Sequence, residues 1–267
     1  MIPRPQLRTA MAGVARRVYG RALRTRYDRT GMPWRVHDQT IRIDPGVRHL
    51  VLHDPERPLF ELVASHVTPG THVLDVGAFL GIYAILESRL AGPGGRVTAL
   101  EPTRWSASIA RRHIHYNAER GAPITLIEAA AGETPGQSML HEYDEAYVNA
   151  LAPAVDVTAS PRLRAVEVVT LDDICATQSL APTFIRIDVQ GAEWHVLRGA
   201  RETIRRAGPR LIVVAEMHPQ CWPGFGVDSR FGLETIASLG LQAEPLEPGT
   251  DLFARDGHVV LTPAANR

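Results

Sequence analysis

Short apolar runs in this chain end on acidic residues: Asp75, Glu101, Glu128, Asp188 and Glu216. If the runs are parallel strands, these carboxylates share one rim, the edge of an open sheet beyond which ligands bind. Two of them stand in a tighter setting. Asp75-Val76-Gly77-Ala78-Phe79-Leu80-Gly81 reads as a strand end, a glycine turn and a helix start, and Val97-Thr98-Ala99-Leu100-Glu101-Pro102 reads as the next strand. Glycines at 77 and 81 let backbone approach a ligand closely. A strand-end glutamate accepts two charge-assisted hydrogen bonds from a ribose diol. This is the layout of a nucleoside-cofactor site in a βαβ unit.

Two details select the cofactor. The turn is Gly77-x-x-x-Gly81 rather than the dinucleotide pattern GxGxxG. Asp75 stands where a pyrophosphate would come, and its charge suits a cationic amino acid group instead. S-adenosylmethionine carries such a group on an adenosine. The expected cofactor-binding residues are Asp75, Gly77, Ala78, Gly81, Glu101, Pro102 and Asp188, with Ala129-Ala130-Ala131 leaving room for adenine. A nicotinamide-dependent oxidoreductase and a non-catalytic binder of S-adenosylmethionine stand as alternatives.

Methyl transfer from a sulfonium is an in-line displacement whose leaving group needs no acid. Alignment contributes roughly 7–11 kcal/mol, and a positioned base about 10²–10⁴-fold. The expected catalytic residues are Asp188, His218 and Glu216. His218 follows the fifth of the acid-ended runs, and a histidine ordinarily titrates near neutrality, so it is the first choice for a base, although a histidine before proline also suits a plain turn. The same three side chains can converge on a divalent cation. They serve a metal-free pocket equally well, and no metal is expected. Trp105, Tyr143, Tyr147, Trp222 and Phe225 are available to line an acceptor pocket.

The elements that must position these groups follow from periodicity. Arg35–Val36, Ile41–Ile43 and Arg48–Leu52 read as a small β meander and Leu59–His66 as a helix. Strands His72–Val76, Val97–Glu101, Ile124–Glu128, Ala165–Thr170, Phe184–Asp188 and Leu211–Glu216 then alternate with helices near 81–90, 104–120, 172–176 and 192–207. Helix 230–239 and strands near 241–246 and 258–261 close the chain. This implies an α/β fold with a mainly parallel sheet covered on both faces, with residues 1–66 as an extension and 67–267 as the cofactor-binding domain. Residues 132–165 lack clear periodicity and read as a functional loop.

At 267 residues, 45% hydrophobic and 22% charged, the chain has the composition of an ordinary globular protein. Formal net charge is zero, so the expected partner is a small-molecule acceptor and not nucleic acid; a homodimer is left open. Every basic residue is arginine, which removes lysine chemistry. Cys175 and Cys221 are too few for a disulfide framework and suit a reducing, cytoplasmic setting. No apolar run has the length of a membrane span, so no stable membrane insertion is expected. Residues 1–29 are arginine-rich, with Asp28 the one acid, and read as an amphipathic leader that packs on the domain or covers its cleft.

Ile185-Arg186-Ile187-Asp188-Val189-Gln190-Gly191-Ala192-Glu193 with Leu197, Gly199 and Ala200, taken with Asp75-Val76-Gly77-Ala78, Thr170-Leu171-Asp172-Asp173 and Val214-Ala215-Glu216-Met217-His218-Pro219, resembles the FkbM family of S-adenosylmethionine-dependent methyltransferases. The resemblance implies a class I methyltransferase fold, a Rossmann-like three-layer sandwich with a seven-stranded sheet and an antiparallel last strand. It also implies transfer to oxygen on sugars, polyketides or other secondary-metabolite scaffolds. Carried over by position, Asp75, Gly77 and Gly81 contact the methionine half, Glu101 the ribose, and Asp188 faces the reacting methyl. The chain departs from the family pattern with Arg186 for a lysine and Gln190 for a glutamate, which puts in doubt any role that needs a carboxylate at 190.

Overall fold

Four central strands are buried on both faces, the signature of a parallel sheet enclosed by helices. They are β3 (His72–Val76), β4 (Arg96–Leu100), β9 (Phe184–Ile187) and β10 (Ile212–Met217). With β5 (Ile124–Ile127), β11 (Leu241–Pro245) and β12 (Gly257–Pro263) they form a seven-stranded sheet in the order β11-β12-β10-β9-β3-β4-β5. Only β12 runs against its neighbours. The computed structural model describes residues 22–54, 56–143, 149–151 and 161–264.

Helices cover both faces. On one side α1 (Arg57–His66) and α2 (Ile82–Ala91) bury Leu59, Val63 and Ala84 against Val73, Val97 and Ala99. On the other, α4 (Leu171–Gln178), α5 (Glu193–Arg198) and α6 (Arg201–Ala207) bury Ile174, Trp194, Leu197 and Ile204 against Leu74, Ile185 and Val213. The expected class I three-layer architecture, including its antiparallel last strand, is what the chain adopts. Helices α3 (Arg104–Asn117) and α7 (Ser229–Ser238) complete the layers.

The single helix expected over 192–207 is two. Helix α5 ends at Gly199, where a side chain would overlap the Gly132 carbonyl. The Asp172 carboxylate then accepts from the backbone N–H groups of Glu202 and Thr203 at 3.0 and 2.7 Å, satisfying donors that a new helix start leaves open.

Two other segments differ from expectation. Residues Arg48–Leu50 form a 3-10 turn rather than a third meander strand after β1 (Met32–Val36) and β2 (Gln39–Ile43). That hairpin packs Val36, Ile41 and Ile43 onto Leu80, Leu86 and Ile109 of the main body. The stretch expected as an irregular loop holds β7 (Gly136–Glu142) and the first half of β8 (Arg162–Val169), paired antiparallel and joined to the two-residue strand β6 (Ala130–Ala131). In β7 only Leu140 is buried, so the period-2 signal is too thin to read. Residues 144–148 and 152–160 of the expected loop, and the leader up to residue 21, lie outside the described residues. Among the described residues, no helix is long and apolar enough to cross a membrane.

Candidate active site

Strand pairing places Asp75 of β3 beside Arg186 of β9 as register partners. Both are buried, and Arg186 Nη1 donates to Asp75 Oδ1 at 3.0 Å while Nη2 donates to Asp188 Oδ2, also at 3.0 Å. The guanidinium lies 4.5 Å from the Tyr83 ring centroid. Burial pushes the Asp75 carboxyl up and the Arg186 charge pulls it back. Burial alone would lower the Arg186 pKa, but Asp75 and Asp188 hold it well above its ordinary value. Glu87, fully buried close by, is driven well upward by burial and then by Asp75.

Asp75 does not line the adjacent cavity: its Oδ1 faces Arg186, and its buried Oδ2 has no hydrogen-bond partner among the described residues. Ala78 and Gly81 do not line it either. Ala78 is buried in the core around Leu59, its N–H given to the Leu100 carbonyl, and Gly81 starts α2 with φ 73° against Ala110. Gly77 does line the cavity, at φ 86°, yet the atom that forbids a side chain there is the Asp188 carbonyl oxygen rather than a ligand.

The cavity, about 220 Å³, is lined by Gly77, Glu101 and Pro102, by Ala129, Ala130 and Ala131, and by Asp188 and Gln190. Glu101 accepts from the backbone N–H of Phe79 at 2.8 Å and of Thr103 at 2.8 Å, one per carboxylate oxygen. Burial raises its pKa to about 7 against the pull of those donors. Each oxygen keeps a lone pair for a diol. The run of alanines leaves a smooth apolar seat beside it, so the residues present fit an adenosine group. Phe79, which sequence reasoning passed over, lines the cavity at φ 50°, a conformation costly for a bulky residue and typical of functional loops.

At the cavity's other end a polar chain runs inward. Gln190, also left-handed at φ 56°, places Nε2 3.2 Å from Asp188 Oδ1 and 3.0 Å from His218 Nε2. His218 Nδ1 lies 2.9 Å from Glu193 Oε1, and Glu193 also accepts from Gly191 N–H and from Trp222 Nε1 at 3.0 Å. With His218 neutral, the ring donates from Nδ1 and accepts at Nε2. Burial lowers the His218 pKa, but the hydrogen bond and charge of Glu193, with Asp188 and Glu216, outweigh it and raise it to about 9. Burial and the Asp188 charge raise Glu216 to about 7.

Sequence reasoning missed Glu193, whose spacing of five from Asp188 gives no hint that it orients a histidine from β10. Among the expected acceptor residues, Trp222 is core, packed on Trp194. Trp105 and Tyr143 line a second cavity, and Tyr147 lies outside the described residues.

Asp188, Glu216 and His218 bring donor atoms within 4.8 Å of one another, as do Glu56, Glu216 and His258. In the first trio, the Gln190 amide nitrogen lies within hydrogen-bond distance of both Asp188 and His218.

Comparisons with known proteins bear on this geometry. A family model described as the methyltransferase FkbM domain matches residues 75–230. The chain is 36% identical over 107 residues to the ribosomal protein L11 methyltransferase of Chloroflexus aurantiacus, covering 39% of this chain and 31% of that one. It is 36% identical over 120 residues to the protein-L-isoaspartate O-methyltransferase of Aeropyrum pernix, covering 44% and 40%. The matching segments thus span less than half the length of these relatives. An rRNA methylase structure from Streptococcus thermophilus aligns with 79% of this chain and 99% of its own at a TM-score of 0.48 and 10% identity. A relative named for a ribosomal protein opposes the expectation of a small-molecule acceptor with no nucleic acid, because zero net charge does not describe local surface. The family match takes in more than half of the chain and every residue lining the cofactor cavity: the protein belongs to the FkbM methyltransferase family, and its cofactor is S-adenosylmethionine.

Proposed function

We propose that the chain transfers a methyl group from S-adenosylmethionine to a hydroxyl oxygen of a small-molecule acceptor such as a sugar or polyketide. The observation that carries this reading is the unbroken chain Glu193–His218–Gln190–Asp188, which ends on the wall of the cofactor cavity. An alcohol must be oriented and relieved of its proton as it attacks, and a carboxylate backed by a buried Glu–His pair suits that task.

Gly77, Glu101, Pro102 and Ala130 hold the cofactor, which supplies a methyl group on a positively charged sulfur. Asp188 meets the acceptor hydroxyl, with its carboxylate aimed by Arg186 and Gln190. His218 stands behind Gln190, and Glu216, 3.8 Å from its Nε2, adds negative charge. Glu193 fixes the ring and stabilises its protonated form. In this reading residues 1–66 are an extension carried by the catalytic domain of residues 67–267, and the hairpin β1–β2 holds it in place.

Formation of S-adenosylhomocysteine over a panel of hydroxylated acceptors tests the proposal. Asp188→Asn should lower kcat at least about 100-fold while S-adenosylmethionine still binds. Unchanged turnover in a folded Asp188→Asn protein overturns the oxygen-transfer assignment.

A further inference from the structure

A cavity of about 910 Å³ adjoins the cofactor cavity, and Phe79, Thr103 and Asn149 line both. Its wall draws on the end of the leader, the turn after β2, the β7–β8 hairpin and helix α3. Arg24 and Asp28 come from the end of the leader, and Glu142, Tyr143, Arg162 and Arg164 from the β7–β8 hairpin. Helix α3 supplies Arg104, Trp105, Arg112 and Tyr116.

The charge of this wall is lopsided. In a chain with zero formal net charge, the described wall carries five arginines against three carboxylates. Two pairs cancel within it: Arg112 with Asp44 at 2.5 Å and Arg164 with Glu142 at 2.6 Å. Among the described residues, Arg24 and Arg104 are left opposite Asp28. Arg104 is 78% exposed and only 3.5 Å from Glu128, a carboxylate already held at 2.7 Å by Arg111. It also opens α3, whose first turn contains no acidic residue and whose Thr103 side chain makes no cap. A cation there works against the helix dipole, and an anion in the cavity relieves both. Trp105, 43% exposed, lines the cavity and offers it an aromatic face.

We propose that this cavity seats the acceptor and that the acceptor carries an anionic group, a phosphate or a carboxylate, gripped by Arg24 and Arg104 while a ring stacks on Trp105. Its hydroxyl then reaches through the shared wall toward Asp188. This rests on the methyl-transfer reading and adds the chemical class of its substrate.

Calorimetry on the full chain saturated with S-adenosylhomocysteine is the test, with pyrophosphate, glucuronate and glucose as probes at matched ionic strength. Pyrophosphate or glucuronate should bind at least tenfold more tightly than glucose. Arg24→Gln and Arg104→Gln should each weaken that binding about tenfold, leaving the melting temperature and the S-adenosylhomocysteine affinity unchanged. Pyrophosphate alone binding identifies the group as phosphate; glucuronate binding equally well identifies charge with a carboxylate sufficing. Equal binding of all three probes, or anion binding untouched in both folded variants, overturns the proposal. Loss of S-adenosylhomocysteine binding with anion binding intact would instead sink the methyl-transfer reading and retain the anion site.

Discussion

Arg186 Nη1 donates to Asp75 Oδ1 at 3.0 Å across two parallel strands, in a position sealed from solvent. The pair joins the strand that opens the cofactor turn to the strand that carries Asp188. Removing the cation leaves Asp75 buried without compensation beside Glu87. Arg186→Met should therefore destabilise the protein by about 3–5 kcal/mol, read from urea denaturation. Arg186→Lys has a single ammonium that cannot serve both carboxylates in fork geometry. It should keep most stability yet lower turnover by loosening Asp188. Equal turnover in Arg186→Lys would show that one carboxylate contact suffices.

Glu101 holds the Phe79 and Thr103 amides and faces the cofactor cavity. Glu101→Ala should weaken S-adenosylmethionine binding about ten- to a hundredfold, the equivalent of roughly 1.5–3 kcal/mol for hydrogen bonds to a charged group. Calorimetry giving wild-type affinity in folded Glu101→Ala would remove Glu101 from the ribose.

The raised pKa of His218 makes two linked predictions. Turnover should climb as pH rises through about 9 and the ring loses its proton, and His218→Asn should abolish that limb of the profile. Stability moves oppositely. Because the folded value lies above the ordinary 6.5, the ion pair with Glu193 stabilises fully below pH 6.5 and is lost as pH rises through about 9. Denaturation midpoints of wild type and His218→Asn should converge on the alkaline side; a constant gap across this window would contradict the pairing.

Gln190 sets the metal expectation. Its amide nitrogen already bridges Asp188 and His218, so turnover should survive EDTA. Gln190→Glu exchanges that donor for a ligand, collecting three carboxylates and an imidazole with Asp188, Glu216 and His218. This variant should bind Mn²⁺ at least tenfold more tightly than wild type by calorimetry. Activity that EDTA abolishes and Mg²⁺ restores in the wild type would reverse the assignment.

The central sheet was legible because its strands are short apolar runs between turn residues, and the helices because their apolar faces repeat at the helical period. Glu101, Pro102, Ala130 and Asp188 line one cavity, as expected from strand ends that point at one rim. The pairing of Asp75 with Arg186 was not legible, because a strand-end carboxylate looks the same whether or not it meets a buried arginine, and the arginine lies more than a hundred residues away in the chain. Glu193 was hidden for the same reason, its histidine coming from another strand. Strand β7 and the first half of β8 escaped because the hairpin buries a single side on a thin cluster, leaving little alternation to read; the rest of β8 was expected as a strand.

Gly77 touches no cofactor group through a side chain it lacks; it touches the Asp188 carbonyl. In the proposed reading, the turn that would seat the nucleoside and the carboxylate that would meet the acceptor share one backbone contact, so a shift in how the first substrate settles would be passed to the position of the second.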